Sequence, residues 1–186
     1  MASDVERLAR AVAFAADKHT GQVRKGDAGE PYVNHVIEVA EMLARASGGQ
    51  DVELVIGGLL HDTIEDTGAT HEEVAAIFGV IVANLVLEVT DDKSLPKAER
   101  KRQQIEHAAH APRGAQLVKL ADKIANLRDL TDFPPADWPA FRRREYFDWA
   151  ALVIAQVRGV HPQLEALFDQ AHLQRPEAAG VQAGAA

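Results

Sequence analysis

Cysteine is absent from this chain, and that absence excludes disulfides, thiolate zinc sites and cysteine nucleophiles together. His, Asp and Glu are left as the strong ligands, so a metal held here has nitrogen and oxygen donors. A basic excess is missing too. The net charge of -8 argues against nucleic-acid binding through broad phosphate contact, which needs a cationic face to release counterions. Small anions remain compatible with local basic groups. No uninterrupted apolar run approaches the length of a membrane span, and MASDVERLARAVAFAADKH lacks the basic start and continuous apolar core of a secretory signal. The expectation is a cytoplasmic protein with neither a membrane nor a nucleic-acid partner. No internal repeat is visible either. What is present is one domain's worth of chain: 186 residues, 47% of them hydrophobic, enough to bury roughly 70% of the surface the unfolded chain would expose.

Capping signals and apolar spacing divide the chain into helices. Ser3 with Glu6 forms a capping box ahead of Val5, Leu8, Val12 and Ala15, a first helix ending near His19. TGQVRKGDAGEPY holds three glycines and a proline and reads as a loop carrying Arg24 and Lys25. A second helix is predicted from about Val33 to Ala46, stopped by SGG, and a third from about Val52 to the step at His61 and Asp62. VELVIGGLL is apolar nearly all round, a central buried helix whose paired glycines allow close packing, although the run is also compatible with a buried strand. Thr70 with Glu73 caps a short helix ending at Gly79. VIVANLVLEV is rich in β-branched residues, but with no partner strand elsewhere it is read as helix. Pro96 and Pro112 each suit the first turn of a further helix. Two more are predicted after FPPADWP, from about Ala140 to Gly159 and from about Pro162 to Leu173. The reading is an all-α single domain over residues 1–175, with 176–186 an Ala/Gly-rich tail expected to be disordered.

His61 and Asp62 stand where the third helix breaks into a polar turn. With eight histidines and fourteen aspartates, about 0.6 such steps arise by chance on composition, so the neighbours must carry the argument. His35 in PYVNHVIEVAEML and Asp122 in AQLVKLADKIANLRDL are also polar residues set into apolar helical stretches. Burying an imidazole or carboxylate without a partner costs several kcal/mol, so three such positions suggest convergence on a divalent cation. At a helix end neighbouring side chains can turn toward one point, which residues about 100° apart inside a regular helix do poorly. Mixed donors fit Mn²⁺ well, with Zn²⁺ or Fe²⁺ as alternatives. Glu65 and Asp66 form a second acidic pair in the turn, able to move protons to or from water acidified by a metal, unless they are simply a solvated helix start. Asn126 lies one turn beyond Asp122 on the same face, able to orient a phosphate oxygen or sugar hydroxyl, unless it is ordinary polar surface. Arg24 with Lys25, Lys97 and Arg142 to Arg144 are surface charge by default.

The order RKG, NH, HDTIED and KLADKIANLRDL resembles the hydrolase domain of the SpoT/Rel alarmone proteins, members of the HD superfamily. It is similar in particular to small stand-alone alarmone hydrolases of the metazoan SpoT-like type, from Ala11 to the EYFDWA segment, with no synthetase or regulatory domain expected to follow. The resemblance implies an HD-type helical bundle and a Mn²⁺ site on His35, His61, Asp62 and Asp122. It also implies contact of Arg24 and Lys25 with a guanine base and nearby phosphate. Water activation and substrate positioning would fall to Glu65, Asp66 and Asn126, and Lys97, Arg142 and Tyr146 would line a nucleotide pocket, with Arg143 or Arg144 as substitutes for Arg142. The expected activity is Mn²⁺-dependent hydrolysis of ppGpp or pppGpp to GDP or GTP and pyrophosphate. NADPH 2′-phosphatase or other nucleotide phosphohydrolase activity on the same site, a non-catalytic alarmone sensor, and a purely structural bundle are the rivals.

Overall fold

The computed structural model describes residues 2–26 and 29–177. Among these, ten helices follow one another: α1 (Asp4–Lys18), α2 (Tyr32–Ala46), α3 (Val52–Leu60), α4 (Thr63–Thr67), α5 (His71–Phe78), α6 (Val80–Val89), α7 (Lys97–Ala108), α8 (Arg113–Asp132), α9 (Ala140–Ala155) and α10 (Pro162–His172). The described residues contain no strand, only an isolated antiparallel bridge between Val23 and Pro31, so the all-α expectation holds. Ser3, Asp51 and Thr70 cap α1, α3 and α5 through side-chain oxygens that accept backbone N–H groups otherwise unpaired in the first turn.

α3 is the central helix, buried from Leu54 to Leu60 and packed on α2, α1 and α6. The paired glycines permit this: a Cβ on Gly58 would sit 2.5 Å from Leu43 Cδ1 and 3.3 Å from Ala40 Cα, and one on Gly57 would sit 2.3 Å from Leu85 Cδ2. Two apolar clusters result. One joins α1, α2, α3, α5 and α6 through residues such as Ala11, Val36, Ile56, Leu60 and Val82. The other gathers Leu43, Val118, Ile124, Phe147, Ile154 and Phe168 around α8, α9 and α10. α2 supplies residues to both, and the polar residues of interest lie where α2, the end of α3 and α8 meet.

The structure departs from the sequence reading at the end of α9, at two prolines and in the acidic turn. α9 ends at Ala155 rather than near Gly159, because Gln156 and Val157 bond back three residues instead of four, and Gly159 then turns with φ +92°. Pro96 and Pro112 precede their helices in extended conformation, ψ 146° and 148°, instead of occupying the first turn. The acidic turn after Asp62 is a helix of its own, α4, closed by Gly68 at φ +79°. The segment from residue 178 onward, expected to be a disordered tail, lies outside the described residues.

Candidate active site

His61 keeps helical backbone angles (φ -56°, ψ -31°), whereas Asp62 swings to φ -100°, ψ -1° before α4 begins. That break brings both side chains to one point. His61 Nε2 lies 3.0 Å from Asp62 Oδ2 and 3.7 Å from Asp122 Oδ1. His35 Nε2, arriving from α2, lies 3.3 Å from Asp122 Oδ1 and 3.7 Å from Asp62 Oδ2. Both residues are 4% exposed, a burial that makes an unmatched polar atom costly. His61 Nδ1 lies 2.8 Å from the Gly58 carbonyl oxygen, which assigns the ring proton to Nδ1 and turns the bare Nε2 toward the carboxylates.

Nε2 of each histidine is buried without a hydrogen-bond partner. Lone pairs and anionic oxygens converging in this way repel unless a cation lies among them. The same field shows as proton affinity: burial opposes a charged ring, yet Asp62 and Asp122 outweigh it and push His61 up to about 10. His35 moves down, through burial and the nearby charges of Arg24 and His61. Burial likewise opposes ionisation of Asp62 and Asp122, but His61 holds the first and Lys123 with the two histidines holds the second well below the usual carboxylate range. Two imidazoles and two carboxylates make a donor set suited to a divalent ion of intermediate softness.

Neighbouring groups fix the two carboxylates, whereas neither ring nitrogen of His35 has a hydrogen-bond partner. Tyr32 Oη donates to Asp62 Oδ2 at 2.6 Å, Asn126 Nδ2 to Asp122 Oδ1 at 2.6 Å, and Lys123 Nζ to Asp122 Oδ2 at 2.8 Å. Arg24 Nη2 donates to Asn126 Oδ1 at 2.9 Å and pairs with Asp129. Its loop is pinned by Arg24 N donating to Glu30 O and Tyr32 N to Gln22 O, at 2.8 and 3.0 Å. Gly26 allows the close approach to α8, since a Cβ there would stand 2.3 Å from the Phe133 carbonyl oxygen. Glu65 Oε2 accepts the Asp91 N–H at 2.9 Å, and Arg100 lies 3.9 Å from Oε1. Burial raises the pKa of Glu65; the hydrogen bond from Asp91 opposes this, and the charges of Asp91, Asp62 and Asp66 add to it. Asp66 pairs with Lys93.

Two joined chambers open over this cluster. The first, about 260 Å³, is lined by His61, Asp62 and Asp122, by Glu65 and Asp66, and by cations that include Lys25, Lys97, Arg100 and Lys101. The second, about 300 Å³, is walled by Val23, Leu130, Phe133 and Pro135 with Arg24 at its side. Lys25, Tyr32, Asp66, Asn126, Trp138 and Tyr146 line both. A polyanion with an apolar ring attached matches this division of charge.

The sequence profile of the HD domain matches residues 11–160. The chain belongs to the HD domain family. It is 51% identical over 168 residues to the zebrafish (Danio rerio) guanosine-3′,5′-bis(diphosphate) 3′-pyrophosphohydrolase MESH1, covering 90% of this chain and 93% of that protein. It is 49% identical to the human (Homo sapiens) protein of the same name over 94% of this chain and 98% of that one. A solved structure described as a metazoan ortholog of SpoT that hydrolyzes ppGpp and plays a role in starvation responses superposes with a TM-score of 0.87. It shares 46% identity and covers 91% of this chain and 95% of that chain. The resemblance to SpoT-type HD hydrolases drawn from the motifs is thereby borne out.

Within the HD domain, His35, His61, Asp62 and Asp122 come together, and Glu65, Asp66, Asn126, Lys25, Lys97 and Tyr146 all line the first chamber. Arg24 lines the second. Arg142 lines neither; its guanidinium lies 4.1 Å from the Trp138 ring centroid and 3.9 Å from Asp137. Arg144 is turned away to the Glu177 carbonyl. Tyr32, Lys101, Lys123 and Trp149 line the first chamber and were not singled out from sequence. A signal existed for Tyr32, which precedes His35 by three residues and so shares its face of α2.

Proposed function

We propose that this chain is a metal-dependent phosphohydrolase that removes the 3′-pyrophosphate of ppGpp or pppGpp, giving GDP or GTP and pyrophosphate. The joined chambers carry the reading: a basic one containing the four candidate ligands, and an apolar one beside Arg24 of a size to take a purine base. Relatives named for this activity and aligned over nine tenths of the chain support it. His35, His61, Asp62 and Asp122 would hold the ion, and we assign Mn²⁺ for its fit to imidazole and carboxylate donors together. Bound there, the ion would polarise a phosphoryl oxygen and acidify water.

The remaining work belongs to the chain. Glu65, whose burial favours holding a proton, takes one from the attacking water as the new O–P bond forms. The bond between phosphorus and the 3′ oxygen breaks, that oxygen takes up the proton returned from Glu65, and pyrophosphate departs. Asp66 sits beside Glu65 and tunes its charge. Asn126 links Arg24 to Asp122, so seating the nucleoside and orienting the ligand are one hydrogen-bonded arrangement. Lys25 and Lys97 offset phosphate charge, Tyr146 borders both chambers, and Arg142 acts through Trp138. We place the reaction in the cytoplasm; no helix of the described residues is long and apolar enough to cross a membrane.

Anion-exchange chromatography of ppGpp incubated with metal-stripped protein, then with Mn²⁺ restored, tests this. GDP and pyrophosphate are expected only with the metal. Intact ppGpp overturns the proposal, and phosphate released from NADPH in a parallel reaction would then transfer the site to 2′-monoesters.

A further inference from the structure

The cations of the first chamber fall into two groups. Lys119 and Arg100 lie near Asp91, Arg100 also near Glu65, and Lys123 bonds Asp122. Lys25, Lys97 and Lys101 have no carboxylate at ion-pair distance among the described residues. Lys101 is the unusual member, because it is half-buried. Its Nζ lies 4.6 Å from the Trp149 ring centroid, and Nζ of the buried Lys123 lies 4.7 Å from the same ring. Trp149 Nε1 donates to the Lys101 carbonyl oxygen at 3.1 Å, which ties the ring to α7. Helices α7 and α8 thus each contribute one ammonium group, and α9 the indole that carries both.

Two like charges brought together in a partly desolvated place repel, and the ring quadrupole offsets only part of that. Lys101 registers the strain: burial lowers its pKa, and Lys97, Lys123 and Arg142 lower it further against the opposing pull of Glu145. An anionic ligand group relieves such an arrangement. Its position says which one. Lys123 bonds a candidate metal ligand at 2.8 Å, so the pair stands beside the cluster where the scissile phosphoryl must lie. Lys101 and Trp149 line the first chamber alone, away from the apolar walls, whereas Lys25 borders both and suits phosphates on the 5′ side.

We propose that Lys101, seated with Lys123 on Trp149, binds the terminal phosphoryl group of the departing pyrophosphate and makes the site selective for a 3′-diphosphate over a 3′-monophosphate. The inference rests on the reading of the site given under Proposed function. Lys101→Met should lower kcat/KM for ppGpp by about tenfold, as expected for losing one charge-assisted hydrogen bond. The guanosine 5′-diphosphate 3′-monophosphate should lose much less. The inhibition constant of inorganic pyrophosphate, at fixed free Mn²⁺, should rise in the same proportion as the ppGpp effect while that of GDP holds, and Lys101→Arg should recover most of both. Equal losses on the two nucleotides, or an unchanged pyrophosphate constant, overturn the proposal. Lys101→Gln replaces the Met variant if circular dichroism shows misfolding. Should wild-type protein leave ppGpp uncleaved, the proposed function fails separately. Calorimetric titration of pyrophosphate into the Mn²⁺-loaded wild-type and variant proteins still decides the subsite, weaker binding to the variant supporting it and equal binding sinking it.

Discussion

On one side of the first chamber the three candidate ligands that line it are tied to the fold: Asp62 by Tyr32, Asp122 by Asn126 and Lys123, and His61 by the Gly58 carbonyl. On the other side Lys25 and Lys97 are exposed and form no ion pair among the described residues, and Lys101 rests on Trp149. The difference matches what each half must do. A metal needs donors held in place before it arrives, since loosely held ligands forfeit affinity. A flexible polyphosphate can be met by side chains that keep their freedom until it binds, at the cost of ordering them then.

Substitutions ranked by expected effect would break or sharpen this contrast. Asp62→Ala should lower kcat at least about a thousandfold, because a metal supplies several kcal/mol of transition-state stabilisation, while circular dichroism and Tm stay near wild type; an active variant breaks the tied half of the comparison. Glu65→Gln should cost about a hundredfold. Glu65 must be ionised to accept a proton and burial raises its pKa, so wild-type kcat/KM should decline toward acid with a midpoint above the ordinary glutamate value of about 4.3. A midpoint at or below that value counts against Glu65 as the base. Tyr32→Phe removes the 2.6 Å bond to Asp62 and should weaken Mn²⁺ binding roughly tenfold, read by the electron paramagnetic resonance signal of the free ion. Unchanged affinity would mean the tie does not matter. Arg24→Ala should raise KM for ppGpp by several-fold, up to about tenfold, with a smaller change in kcat. Lys97→Met, on the untied side, should raise KM only about two- to threefold and lose even that at high salt; an effect as large as that of Asp62→Ala would erase the distinction between the halves.

How much of this was legible in the chain varies with the range of the signal. Ser3 and Thr70 cap helices where their capping boxes say they should. VIVANLVLEV is a helix despite its β-branched residues, because α6 buries Val82, Ala83, Val86 and Val89 against α3 and α5, and packing overrides local preference. Gly159 misled the α9 boundary, since the chain had already left α-helical bonding four residues earlier. His35, His61 and Asp122 were readable because polar groups at apolar helical positions conflict with their surroundings. Lys101 carries no such conflict: in KAERKRQQIEHA it looks like Lys97, Arg100 and Arg102.

By itself, then, the sequence determined the helical class, most helix boundaries, the four polar residues that meet at the core and the acidic pair beside them. These are set by spacing and by the cost of burying polarity, both local quantities. Which cations enter the chamber, that Tyr32 steadies Asp62, that Arg142 rests on Trp138 and that two lysines share Trp149 were decided only by the tertiary structure. The physical reason is that a charged side chain is favourable on any solvated helix face, and only the packing of α7, α8 and α9 determines which of those faces turns inward.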